Sequence, residues 1–77
     1  MPVPKEERVK QWEILRLRVD NNLSVPQMAQ IVGVSPYTYS YKERGERPFT
    51  ADEIHILCKR FGVSFHDIFL PSKSIKN

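Results

Sequence analysis

The chain has 77 residues, enough for one domain built on a single small core. Its one cysteine, Cys58, excludes an internal disulfide, and no apolar run is long enough to span a bilayer. Twelve basic residues against nine acidic ones leave a net charge of +3, compatible with a polyanionic partner but too small to require one.

The charged amino end lacks the apolar centre of a signal peptide, so a reducing, cytoplasmic location is expected. A chain this short without staples needs efficient helix packing or a partner subunit. Helical spacing predicts a first helix over 5–21, with Glu6 and Glu7 in its opening turn, where carboxylates favour the macrodipole. Ile14 and Leu17 are its core residues. Trp12, Leu15 and Val19 form a second stripe that either covers the last helix or lies at a subunit contact.

Four later helix starts use one device. Ser24, Ser35, Thr50 and Ser64 each stand where a side-chain oxygen can cap the free amides of a new helix. Before each comes an apolar residue, and four positions after each comes another: Leu23 with Met28, Val34 with Tyr39, Phe49 with Ile54, Val63 with Ile68. That is the pattern of a hydrophobic staple. Gln27 and Glu53 complete capping boxes with Ser24 and Thr50. Pro26 and Pro36 fall in first turns, where a missing amide costs nothing.

Gly33 and Gly62 each precede a cap by two residues and can end a helix in the left-handed conformation. The signals together give further helices over 25–32, 36–43, 51–61 and 65–69. Arg44 to Phe49 reads as a loop. No segment alternates convincingly as a strand. The expectation is an all-α, five-helix domain over 1–70 followed by a flexible tail over 71–77. Its core is Ile14, Leu17, Leu23, Met28, Ala29, Val32, Val34, Tyr39, Ile54, Leu57, Cys58, Phe61, Val63, Ile68 and Phe69.

The stretch from Pro36 to Glu43 holds three alternating tyrosines inside one short helix. If Tyr39 staples back to Val34, it faces inward. At about 100° per residue, Tyr37 and Tyr41 then lie on the outer face together with Ser40 and Arg44. Two short helices joined by the three-residue turn Gly33-Val34-Ser35 make a helix-turn-helix, whose second member enters the DNA major groove. Tyrosine offers such a groove a hydroxyl and a ring for the thymine methyl. Phosphates would be met by amides opening the 25–32 helix, with Ser24 and Gln27, and by Arg44, Arg47 and the flanking Lys42.

Leu17-Arg18, Leu23-Ser24, Ala29, Gly33-Val34-Ser35, Thr38-Tyr39-Ser40 with Glu43 and Gly45, and Phe61-Gly62-Val63-Ser64 with Ile68-Phe69 occur at a characteristic joint spacing. In these segments the chain resembles the Cro/repressor-type helix-turn-helix proteins, also called XRE-like or lambda-repressor-like. The resemblance runs from about Ile14 to Phe69. It implies base-reading roles for Pro36, Tyr37, Ser40 and Tyr41, and a semi-buried ion pair between Arg18 and Glu43. The chain departs from the family at Val25, where several members carry a DNA-contacting glutamine, and at Lys42, where an apolar residue is usual. The stem of Lys42 is therefore expected along the core with its amine in solvent.

His55 and Cys58 share a helix face, but even with His66 they fall short of a closed zinc site. No catalytic set, metal or cofactor is expected. The expected function is a sequence-specific DNA-binding transcription regulator, a small prokaryotic or phage repressor, acting as a homodimer on a pseudo-palindromic operator. The alternative is a helix-turn-helix module that binds another regulatory protein, as an antirepressor or antitoxin does, since tyrosine is favoured at protein interfaces. Candidate subunit surfaces are the Trp12 stripe and the segment Ile68 to Ile75.

Overall fold

A computed structural model describes residues 2–69. Five α-helices follow one another: α1 (Trp12–Asp20), α2 (Val25–Val32), α3 (Pro36–Glu43), α4 (Ala51–Phe61) and α5 (Phe65–Ile68). A 3-10 turn, Lys5–Glu7, precedes them, and there is no strand among the described residues. The tail expected over 71–77, and the part of the proposed subunit surface beyond Phe69, lie outside the described residues.

The caps explain where the middle helices begin. The Ser24 hydroxyl accepts the Gln27 amide at 3.2 Å, and the Gln27 side-chain oxygen accepts the Ser24 amide at 2.8 Å. Thr50 and Glu53 repeat this reciprocal box at 3.1 and 2.9 Å. Ser35 accepts from the Thr38 amide at 3.1 Å. Each such cap contributes about 1 kcal/mol. Ser64 departs from the set: its side chain makes no cap bond, and α5 is a single turn of four residues. Gly33 closes α2 with φ +90°, a conformation costly for any residue with a Cβ, and lets the chain reverse into Val34.

The first helix is shorter than its 5–21 spacing suggests. After the 3-10 turn Arg8 is extended, and α1 starts only at Trp12, with no side-chain cap. The residues before it lie instead across the end of α3. The Gln11 amide donates to the Glu43 carbonyl at 2.9 Å, and the Val3 amide donates to the Glu46 carbonyl at 2.8 Å. The last carbonyls of a helix have no partner within it. Here the amino end of the chain supplies a donor to the Glu43 carbonyl and to that of Glu46 in the loop beyond, and this tertiary bonding outweighs the helix preference of Lys-Glu-Glu-Arg.

The core is formed by Ile14, Met28, Ala29, Val32, Tyr39, Phe49, Ile54, Leu57 and Ile68. Leu17, Leu23, Val34, Cys58, Phe61, Val63 and Phe69 are only partly buried around it. Phe49 is absent from the sequence-based core, yet it packs edge-on against Tyr39 with ring centroids 6.1 Å apart. Trp12 and Val19 stay 56% and 55% exposed, so the second stripe of α1 does not serve to cover the last helix.

One buried network fixes the roll of α3. Tyr39 is fully buried, and its hydroxyl donates to Glu43 Oε2 at 2.6 Å. From α1, Arg18 donates through Nε to the same oxygen at 2.9 Å and through Nη2 to Oε1 at 3.2 Å. A third Arg18 nitrogen donates to the Leu23 carbonyl at 3.1 Å, tying in the turn before α2. Burial first, and the bond to Glu43 second, push the Tyr39 phenol well above its ordinary pKa.

Two outcomes test this arrangement. Gly33→Ala costs about 1–2 kcal/mol from left-handed backbone alone, since nothing lies near its added Cβ. Gly45→Ala costs more in urea unfolding, because with φ +82° its Cβ would also stand 2.3 Å from the Val9 carbonyl oxygen; equal midpoints would show that the amino-terminal segment yields freely. The second concerns pH. The unfolded chain ionises its tyrosines near pH 10 while native Tyr39 stays neutral, so its contribution is intact below that pH and lost above it. Above about pH 10 the unfolding free energy of the native sequence falls about 1.4 kcal/mol per pH unit faster than that of Tyr39→Phe. Parallel curves would refute a neutral buried phenol.

Candidate nucleic-acid interface

With Tyr39 turned into the core, the opposite face of α3 is set by helix geometry. Tyr37 is 79% exposed, Pro36 is exposed, and Ser40 and Tyr41 are half-buried. The Tyr37 and Tyr41 rings lie four residues apart and stack, with centroids 6.4 Å apart and planes 15° apart. Two phenols side by side give a flat, amphipathic surface with a hydroxyl at the rim of each ring.

Two guanidinium groups close on the same phenol. Arg44 lies 5.1 Å and Arg47 5.0 Å from the Tyr41 ring centroid, within the range of cation–π attraction. Arg44 Nη1 also donates to the Ser40 hydroxyl at 3.0 Å. Thus Tyr37, Ser40, Tyr41, Arg44 and Arg47 form one connected surface, and the structure brings together residues assigned separately to bases and phosphates.

Lys42 does not belong to it, contrary to the expectation of a phosphate-binding flank with its amine in solvent. Its side chain points to the opposite side of α3, where Nζ meets Glu53 Oε1 at 2.5 Å and lies 6.0 Å from the Phe49 ring centroid. Lys42 is only 7% exposed. A lysine whose charge is compensated inside the fold has none to offer a phosphate. Its stem does lie along the core, but its amine joins α3 to the capped start of α4.

At the start of α2, Ser24 and Gln27 are exposed and bonded to each other. The box takes the amides of Ser24 and Gln27, and Pro26 has none, which leaves the Val25 amide for an anion. Fewer backbone donors are on offer here than a helix opening usually provides. The Gln27 NH2 group supplements them, because only the oxygen of that side chain is used by the cap.

Glu46 is the residue that sequence reading passed over. Its carboxylate accepts from Arg44 Nε at 2.9 Å and so stands beside the cationic surface. The signal was present in Glu43-Arg44-Gly45-Glu46-Arg47, an acidic residue inserted between two arginines. Among the described residues no group of three or more histidine, cysteine or acidic side chains could hold a metal ion, and no helix is long and apolar enough to cross a membrane.

Comparisons with known proteins agree with this geometry. No curated protein sequence matches the chain. Among solved structures, the chain is similar to the crystal structure of the clp gene regulator ClgR from C. glutamicum, with 25% identity and a TM-score of 0.61. That similarity covers 71% of this chain and 71% of the other. Residues 12–68, which include every helix from α1 to α5, match the model of the helix-turn-helix domain family. With two capped helices joined by a tight turn and the second one bearing a built outer surface, the chain belongs to the helix-turn-helix domain family.

Proposed function

We propose that the protein is a sequence-specific DNA-binding transcription regulator that inserts α3 into the major groove. The observation that carries this reading is the roll of α3: Tyr39 is buried while Tyr37, Tyr41 and Ser40 share the outer face with two arginines. The similarity to a gene regulator supports it. Pro36, Tyr37, Ser40 and Tyr41 face base edges. Arg47, Arg44, Ser24 and Gln27 meet phosphates. Lys42 and the Arg18–Glu43 pair act only by holding the reading helix in place.

The protein works as a homodimer on a pseudo-palindromic operator, and it represses by blocking access to a promoter. Two-fold symmetry would space the half-sites one helical turn apart, roughly 34 Å. The stripe of exposed Trp12 and Val19 with half-buried Leu15 is the candidate subunit surface, since large apolar side chains grouped on one helix face favour a partner. The stacked tyrosine pair also fits a second reading, a module that binds another regulatory protein.

Salt separates these readings. Duplex DNA binding that falls steeply with salt supports the first, whereas no binding beyond millimolar affinity supports the second. Within the first, Tyr37→Ala lowers the ratio of operator to random-DNA affinity and leaves the salt slope unchanged. Tyr37 is the cleaner probe because Tyr41 also supports both guanidinium groups. Arg47→Ala weakens both DNAs about equally and reduces the slope by about one. Lys42→Met lowers stability but keeps the slope of the native protein; a slope reduced as in Arg47→Ala would return Lys42 to the phosphate set.

A further inference from the structure

We infer that Glu46 sets how much positive charge the reading surface presents to phosphate, by holding Arg44 in a bridge that DNA must break; this rests on the DNA-binding reading above. Arg44 has three partners in the free protein: the Glu46 carboxylate at 2.9 Å, the Ser40 hydroxyl at 3.0 Å and the Tyr41 ring at 5.1 Å. Arg47 lies against the same ring yet meets no carboxylate among the described residues. The two arginines are therefore unequal. One is a cation ready for a phosphate, and the other is already neutralised.

Glu46 is placed for this by its backbone. Its amide donates to the Tyr41 carbonyl at 2.8 Å, and its carbonyl accepts the Val3 amide at 2.8 Å. Just before it, Gly45 lies directly beneath the Val9 backbone. The segment can drift neither toward α3 nor away from it, so the carboxylate stays within reach of Arg44. An ion pair as open to solvent as this one contributes little stability. Its consequence lies in the field offered to a partner.

A phosphate that approaches Arg44 must displace the carboxylate, which then needs a counterion of its own. One fewer cation is released overall than if position 46 were neutral. Non-specific binding consists almost wholly of this phosphate contribution, whereas operator binding also draws on base contacts. Glu46 therefore lowers the affinity for random and operator DNA by about the same factor, and sets the strength and salt dependence of binding without touching a base.

The test is a salt titration of binding to a random-sequence duplex by the native protein, Glu46→Gln, Arg44→Ala and the double variant. Glu46→Gln keeps the shape and removes the charge. It is expected to steepen the slope by about one and to bind roughly tenfold tighter near 0.1 M salt. In the Arg44→Ala background the same change should bring less than about a twofold gain, since the bridge is already gone. An unchanged slope, or an equal gain in both backgrounds, would overturn the inference and leave DNA binding standing. A native protein with no salt-dependent binding to any duplex would overturn both. Thermal melts within a few degrees of the native protein show that the variants are folded.

Discussion

The carboxylate of Glu43 is the group on which the rest of the molecule turns. It takes hydrogen bonds from Tyr39 on its own helix and from two nitrogens of Arg18 on α1. A buried carboxylate is tolerable only when it is paired and its lone pairs are filled. Only one roll of α3 permits that. Turning the helix by one residue, about 100°, would carry the phenol away from the core and leave the acid stranded. The requirement that fixes the inside of α3 therefore fixes its outside as well, and the outer surface follows from the inner one.

An eight-residue helix has little stability of its own, and α3 is secured mostly at its carboxyl end. Glu43 binds it to α1, the adjacent Lys42 binds it to α4 through Glu53, and the Gln11 amide takes the Glu43 carbonyl. Three neighbours thus hold one helical turn. The front of the helix, from Pro36 to Tyr37, carries the Ser35 cap and the stacking of Tyr37 on Tyr41, and both residues are exposed. This is a suitable division for a helix that approaches a groove with its amino-terminal residues leading.

Much of this could be read from the sequence because it is written locally. A cap, its staple and a closing glycine all lie within a few residues, and α2, α3 and α4 begin and end where those signals place them. The orientation of the tyrosines followed from one staple, Val34 with Tyr39. What escaped was set by distant parts of the chain. Residues 5–11 have a helical composition, but the segment is tied to the end of α3 and the loop after it, through the Gln11 amide on the Glu43 carbonyl and the Val9 backbone against Gly45. Lys42 looks like any surface lysine until Glu53 arrives from another helix. Phe49 reads as a loop residue beside a proline, although the staple pattern had already named it. Ser64 has the right neighbours for a cap, yet it opens a helix of only one turn and its hydroxyl is not used.

The contact of Val9 with Gly45 carries a broader implication. The residues before Trp12 lie ahead of the stretch shared with the helix-turn-helix family, and nothing in their composition marks them as part of a reading surface. Yet they support the loop that carries Arg44, Glu46 and Arg47. Two proteins with identical domains but different leading segments would hold the same arginines at different angles. In a regulator that read DNA through α3, divergence in an unremarkable prefix would thus change how the domain is seated on the phosphate backbone while the helix itself stayed unaltered.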